Sequence, residues 1–211
     1  MNHAGERPFS PACERNQAAI LAAMAPLMEQ PGTLLEIGSG TGQHAAWMAP
    51  QLPHIRWQTS DLPDHLPGIQ AWLDDVPGKR MPTPLVLDVA GRWPEKSFQY
   101  LYTANTFHIM ASALVERCIE QGGCHLDAGG RWFVYGPFRV AGAFTSDSNH
   151  EFHHWLQQRD PRQGIRALEW VQGCMQHAGL ELVARQPMPA NNFLLTFEKT
   201  GGRAQSSNAA R

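Results

Sequence analysis

The stretch Leu34-Leu35-Glu36-Ile37-Gly38-Ser39-Gly40-Thr41-Gly42 constrains this chain more than any other. Thr33 to Ile37 read as a short buried strand, and the three alternating glycines then allow a tight turn in which backbone can approach a ligand closely. A helix starting just beyond such a turn leaves its first amides without intrahelical partners, so the spacing predicts exposed donors at a helix N-terminus. Strand, glycine turn and helix in that order point to a small-molecule-binding α/β protein.

The glycine spacing separates two cofactor classes. A dinucleotide fingerprint is G-x-G-x-x-G, whose amide-lined turn and helix dipole meet a pyrophosphate. Here the pattern is G-x-G-x-G with Gln43 at the position of that fingerprint's last glycine, and Glu36 brings negative charge where a pyrophosphate needs positive potential. Such a turn suits a cofactor without phosphates, above all S-adenosylmethionine; a nicotinamide or flavin site is the second reading, and a ligand-free βα turn the third.

Two further acids fall in the same register. His54 to Ser60 reads as a second strand that delivers Asp61 at its carboxyl end, 21 residues after Gly40. That offset suits an acid reaching a ribose diol, since a carboxylate accepts from both vicinal hydroxyls. The competing reading is that Asp61, ahead of Leu62-Pro63, caps the next helix. Pro84 to Val89 reads as a third strand carrying Asp88, which could accept from an adenine amino group or serve as a loop residue. Ligands in open α/β sheets bind beyond the carboxyl ends of strands, so acids at three such ends argue together. Glu36, Gly38, Gly40, Gly42, Asp61 and Asp88 are therefore the candidate cofactor set.

With 211 residues and 43% hydrophobic content, the chain suffices for one well-buried domain and is short for two. A single domain over 1–199 is expected, followed by a disordered tail over 200–211. A net charge of −2 and a pI near 6.5 give no electrostatic draw toward nucleic acid or anionic membrane. Cys13, Cys118, Cys124 and Cys174 show neither a C-x-x-C pair nor a framework spacing, which suits reduced thiols. A polar N-terminus and the lack of any apolar run of membrane length fit a cytoplasmic protein with no membrane association.

Strands and helices alternate along the chain. Ser10-Pro11 opens a helix with an apolar stripe at Ile20, Leu21, Met24, Leu27 and Met28, ended by Pro31-Gly32. Helices are expected over about 41–51, through Ile69-Trp72-Leu73 and over 111–121, a proline-rich loop over 77–84, and strands over 98–104 and 132–135. Gly179 to Arg185 and Asn192 to Lys199 read as an antiparallel hairpin around Pro187 to Asn191. The alternation implies a mostly parallel sheet with helices on both faces.

Taken together, the motif at 36–42, the acids Asp61 and Asp88 and the closing hairpin resemble class I S-adenosylmethionine-dependent methyltransferases. More closely, Arg7-Pro8-Phe9-Ser10-Pro11 through Asn16, Asn105-Thr106-Phe107-His108-Ile109, Tyr135-Gly136-Pro137-Phe138, Ser148-Asn149, Gly164-Ile165-Arg166 and Met188 to Asn192 are similar to a family of short methyltransferase-like proteins of bacteria and eukaryotes. The resemblance runs to about Lys199. It implies a Rossmann-like seven-stranded, mostly parallel sheet whose last strand is antiparallel, and a cofactor lined by Gly38, Gly40, Asp61 and Asp88. One departure is Phe152-His153, where the close family tends to have Phe-Asp.

Methyl transfer from a sulfonium asks mainly for positioning, with a base only where the nucleophile carries a proton. Candidates lie after the fourth and fifth strands. Asn105 could face the methyl end of the cofactor or satisfy loop backbone; His108 could be a general base or a structural histidine; Tyr135 could contact substrate or simply pack. Farther on, Asn149 precedes a lid-like helix, Arg166 could clamp an anionic group or form a surface ion pair, and Asn191 could reach over the site or serve its turn. His150, His153 and His154 have helical spacing, but without accompanying acids or cysteines they read as a solvated cluster, and no metal is assigned. The Asn-Pro-Pro-aromatic and Pro-Cys arrangements of base-methylating enzymes are absent. The sequence thus suggests a methyltransferase acting on a small molecule, ahead of a non-catalytic S-adenosylmethionine-binding partner protein and a nicotinamide-dependent oxidoreductase.

Overall fold

A computed structural model describes residues 7–78 and 81–201. Lys79 and Arg80, within the expected proline-rich loop, and 202–211 of the expected tail lie outside the described residues. The first helix, α1 (Pro11–Met24), forms as its cap predicts: the Ser10 hydroxyl accepts from the Cys13 amide at 3.4 Å, and proline fills the first helical position.

The chain then builds β1 (Gly32–Ile37), α2 (Gln43–Met48), β2 (Ile55–Asp61), α3 (Leu66–Leu73), β3 (Leu85–Val86), β4 (Phe98–Ala104), α4 (Ser112–His125) and β5 (Leu126–Gly136). It closes with β6 (Phe138–Arg139), α5 (Asp147–Arg159), β7 (Arg166–Ala167), α6 (Leu168–His177), β8 (Leu180–Met188) and β9 (Asn192–Lys199). Seven strands make one sheet in the order β3-β2-β1-β4-β5-β9-β8, while β6 and β7 pair separately. β9 pairs antiparallel with both neighbours, and the other six strands of the large sheet run together. This is the Rossmann-like arrangement that the sequence implied.

Strand alternation sends side chains to two apolar cores. Leu34, Trp57, Tyr100, Tyr102 and Phe133 face one that includes residues of α1, α2 and α3. Leu35, Leu101, Trp132, Val134 and Phe197 face the other, with Val115 and Ile119 of α4 and Val171 and Met175 of α6. Helices thus cover both faces of the sheet.

Several boundaries differ from the sequence reading. Residues 41–51 do not form one helix: α2 covers six residues and a 3-10 turn at Ala49–Gln51 follows, where Pro50 cannot donate to the α ladder. β3 retains only Leu85–Val86, so Asp88 sits in a loop. β5 begins at Leu126, not Trp132, because Gly129 and Gly130 accommodate a register shift against β4. α6 had no sequence expectation, although Leu168, Val171 and Met175 are spaced as a helical stripe.

Strand order reverses at β1, whose two neighbours are β2 and β4. The crevice at such a switch point is where an open sheet binds ligands, and β1 and β4 end there in Gly38 and Asn105.

Candidate active site

The three turn glycines all adopt positive φ, +72° at Gly38, +58° at Gly40 and +89° at Gly42. That is the left-handed region where a side chain is strained, which accounts for the residue type. The turn's amides are nonetheless committed within the protein. Gly38 and Ser39 donate to the Ser60 carbonyl at 3.1 and 3.0 Å, Gly42 donates to the Ser39 carbonyl at 2.9 Å, and Gly40 donates to Asp61 Oδ2 at 2.7 Å. The expected row of free donors is therefore not what the turn offers, and with Glu36 beneath it the turn is a poor cradle for a pyrophosphate.

Two cavities meet at the turn. The first, of about 430 Å³, is lined by Gly38, Gly40, Asp61, Asp88 and Asn105 together with apolar Leu62, Ile109 and Leu114. The second, of about 800 Å³, is lined by Glu36, His44, His108, Tyr135, Asn149 and Phe152 among others. Gly38, Gly40, Ala104 and Asn105 line both. Gly42 lines neither: a Cβ there would lie 2.9 Å from the Ile69 Cα, so this glycine permits close packing of α3 instead of ligand approach.

Asp61 holds the floor of the first cavity. Oδ1 accepts from the Leu62 amide at 2.7 Å and from His65 Nδ1 at 2.8 Å, and Oδ2 accepts from Gly40. The carboxylate thus ties down the start of the following turn without capping a helix, since neither the 3-10 turn at Pro63–His65 nor α3 has a side-chain cap, and it lines the cavity with a lone pair of Oδ2 to spare. Asp88 is exposed at the rim, and its Oδ1 accepts from the Ala90 amide at 2.9 Å. Glu36 is 2% exposed and accepts from Trp57 Nε1 at 2.9 Å. Burial pushes its carboxyl up to about 7, hydrogen bonds from Trp57 and Ser39 oppose that, and the Asp61 charge adds to it.

Besides Glu36 and Arg15, the second cavity is lined by neutral polar groups. Asn105 follows β4 with φ +56°, a left-handed conformation that asparagine tolerates, and its amide donates to the Tyr135 carbonyl at 2.9 Å. Its side chain has no hydrogen-bond partner among the described residues. His108 is 7% exposed and packs edge-on against Phe152 at 5.2 Å. Burial, then the Arg166 charge, lowers its pKa to about 4, so the imidazole is neutral at physiological pH. Neither ring nitrogen is bonded among the described residues. Burial raises the Tyr135 phenol while hydrogen bonds from Asn16 and Asn192 pull it down.

A buried relay backs this wall. Asn16 Oδ1 can only accept, so His44 Nε2 donates to it at 2.8 Å, and His44 Nδ1 then accepts from the Tyr102 hydroxyl at 3.1 Å. Burial lowers His44 to about 4, which keeps that tautomer neutral. Asn16, His44 and the α1 residues Ser10, Cys13 and Arg15 had no place in the sequence-derived site. Asn16 carried one signal, a polar residue on the face of α1 that also buries Ile20 and Met24.

Three substrate candidates fare differently. The Asn149 amide nitrogen donates to Thr145 Oγ1 at 2.8 Å and to the Asn191 carbonyl at 3.1 Å, tying α5 to the hairpin while the residue lines the second cavity. Asn191 takes the left-handed turn conformation and lends only its carbonyl; neighbouring Asn192 lines the cavity instead. Arg166 is turned away from both cavities. It donates from Nε to the Phe107 carbonyl at 3.1 Å and from Nη2 to the carbonyls of Met110 and Arg162, bracing the loop after β4. At the departure from the family pattern, His153 Nδ1 accepts from the Ile165 amide at 3.0 Å, a role a carboxylate oxygen could also fill. His150 and His154 share a hydrogen bond between their Nε2 atoms at 3.0 Å.

Residues 7–199 match the family described as protein of unknown function (DUF938). The fold matches solved methyltransferases: the apo form of the S-adenosylmethionine-dependent methyltransferase SibL (TM-score 0.76, 15% identity, covering 90% of this chain and 56% of that one); an O-methyltransferase family 2 protein of Planctomyces limnophilus in complex with apigenin (0.72, 15%, 87% and 62%); and human N-acetylserotonin methyltransferase in complex with SAM (0.68, 14%, 90% and 58%). This chain thus spans 56–62% of those proteins' length, and at such identities the likeness is one of fold.

Proposed function

The chain belongs to that family, and on this footing we propose that it is an S-adenosylmethionine-dependent methyltransferase acting on a small molecule. One observation carries the reading: a cavity lined by Asp61 and Asp88 and a cavity lined by His108, Tyr135 and Asn149 meet at Gly38, Gly40 and Asn105, just past the ends of β1 and β4. The donor set fits a nucleoside without phosphates. Asp61 and Asp88 are acceptors suited to ribose hydroxyls and an amino group, and Gly40 has nothing within 4 Å of where a Cβ would stand, so a ligand can lie against its backbone.

When bound, S-adenosylmethionine supplies an electrophilic methyl group, so the protein need only position a nucleophile and manage a proton. Asn105, shared by both cavities and with a free side chain, orients the acceptor at the junction. His108, neutral and unbonded, takes the acceptor's proton at a ring nitrogen. Tyr135, held protonated by burial, donates a hydrogen bond to the acceptor, and Phe152 excludes water above His108. Arg166 acts only through the loop it braces. The solved neighbours include a complex with the small aromatic apigenin, which supports a small-molecule acceptor.

The test is incubation with methyl-labelled S-adenosylmethionine and fractionated metabolite pools. Label is expected in the small-molecule fraction. Cofactor binding without transfer to any pool would reduce the protein to a binding partner.

A further inference from the structure

A second concave surface adjoins the first and has the opposite electrostatic character. The paired strands β6 and β7 deliver Arg139 and Arg166 to a cleft of about 690 Å³ walled by the start of α4, by α5 and by α6. Arg162 joins them and also lines the nucleoside cavity. Among the described residues, no Asp or Glu lines this cleft.

The three arginines are not equally satisfied. Arg162 is held by both oxygens of Asp160, and Arg166 spends Nε and Nη2 on backbone carbonyls. Arg139 differs. Its Nε is buried with no hydrogen-bond partner among the described residues, and its guanidinium lies 5.8 Å from the Phe144 ring. A buried N–H of a charged group without an acceptor is rare and unfavourable, so it marks a place where an acceptor belongs. Arg139 also disfavours the charged forms of Arg166 and His153, a repulsion that an anion between them would relieve. Outside the lining, Glu169 feels the Arg139 charge, but it accepts from the Ala141 amide at 2.8 Å and also feels Arg185.

The other walls contribute donors as well. The 14-residue helix α4 starts after Ala111, which has no side-chain oxygen for the first amides, and Ser112 and Ala113 face the cleft. His153 Nδ1 is engaged as an acceptor, which leaves its proton on Nε2.

We propose that this cleft binds the oxyanion group of a small molecule, a carboxylate or a phosphate, with Arg139 as its principal contact. Planar guanidinium forks match both anions, and the helix start adds backbone donors. Occupancy bears on the neighbouring site through shared structure: Arg166 holds the Phe107 and Met110 carbonyls, and the Gly164 amide donates to the His108 carbonyl at 2.9 Å.

The test is titration of ¹⁵N-labelled full-length protein with inorganic phosphate and, separately, with malonate at matched ionic strength, following the arginine Nε–H resonances. A saturable shift is expected in one Nε–H resonance, identified as Arg139 by its loss in Arg139→Lys, and in the backbone amides of Ser112 and Ala113, which report half-saturation in the wild type and in both variants. Half-saturation should rise about tenfold in Arg139→Gln and several-fold in Arg139→Lys, which keeps the charge but not the fork. Tighter phosphate binding assigns a phosphate ligand, and tighter malonate binding a carboxylate. The absence of saturation with either anion, or half-saturation unchanged in both variants, overturns the proposal. If Arg139→Gln does not fold, the lysine variant alone decides it.

Discussion

The two cavities that meet at Gly38 are built in different ways. The half proposed to hold the nucleoside comes mostly from consecutive βα units: the turn after β1, Asp61 at the end of β2, Asp88 after β3, and residues between Asn105 and Leu114 after β4. The half proposed to hold the acceptor is gathered from distant segments, with Ser10 and residues of α1 as far as Asn16, His108, Tyr135, Asn149 and Phe152, and the hairpin turn at 189–192. The first presents the carboxylates of Asp61 and Asp88, while the second sets His108, which burial holds neutral, beside Asn105, Tyr135 and Asn149, with Glu36 and Arg15 also in its lining. A charged rim can accept hydrogen bonds from a polar cofactor, whereas His108, unprotonated down to about pH 4, offers an open ring nitrogen throughout the neutral range. Chemistry is thus divided between a locally encoded half and a half that only the tertiary fold assembles.

The comparison predicts separable effects of substitution. The largest belongs to the acceptor half: His108→Gln should lower methyl transfer by about 10²- to 10⁴-fold, as for loss of a general base. Calorimetric affinity for S-adenosylhomocysteine should stay within about threefold, since the residue lies outside the nucleoside cavity. The wild-type rate should hold from about pH 8 to about pH 5.5, below the range in which an ordinary histidine would protonate, because His108 stays neutral to about 4. A rate falling with an apparent pKa near 6.5 would remove His108 from the role.

Next come two glycines of one turn. Gly42→Ala places a Cβ 2.9 Å from the Ile69 Cα at φ +89°, and should cost roughly 2–3 kcal/mol in chemical denaturation while altering cofactor affinity little. Gly40→Ala, at φ +58° with open space beside it, should cost about 1 kcal/mol of stability. Its methyl group would instead enter the space both cavities share and weaken S-adenosylhomocysteine binding. The reverse ordering in either measurement would break the assignment of one glycine to packing and the other to ligand approach.

The smallest effect is on acid stability. His44 and His108, buried and neutral, have folded pKa values near 4 against an unfolded value of about 6.5, so the unfolded chain binds more protons between those limits. Their contribution is complete above that window and is lost as pH falls through it. Glu36 has the opposite sign: its pKa is raised to about 7 from the ordinary 4.5, so its contribution is complete below the ordinary value and lost as pH rises toward 7. Glu36→Gln should therefore steepen the fall in melting temperature between about pH 6.5 and about pH 4.5. An unchanged slope would mean that Glu36 does not titrate in that window.

What could be read in the sequence follows the same division. The βα alternation, the glycine turn and the acids Asp61 and Asp88 are short-range patterns, from which the mostly parallel sheet and the residues Gly38, Gly40, Asp61 and Asp88 of the first cavity were legible, whereas Glu36, read with them, lines the second. Gly42 shows the limit of motif reading, since its spacing says nothing of which face Ile69 will crowd. Arg166 was legible as a cation but not as a brace, because its partners are backbone carbonyls of Phe107 and Met110 nearly sixty residues earlier. Asn191 and Asn192 are adjacent, and only the hairpin geometry decides which one lines the cavity. Asn16 and His44 meet across 28 residues by the packing of α1 on α2, a contact that no local periodicity encodes.

The most direct test of the central claim is calorimetric titration of the full chain and its Asp61→Ala variant with S-adenosylhomocysteine and, separately, with NAD. The predicted result is one-to-one binding of S-adenosylhomocysteine, weakened by about 100-fold or more when the Asp61 carboxylate is removed, with no measurable binding of NAD. Binding of NAD without S-adenosylhomocysteine, or an affinity for S-adenosylhomocysteine indifferent to Asp61, would contradict it.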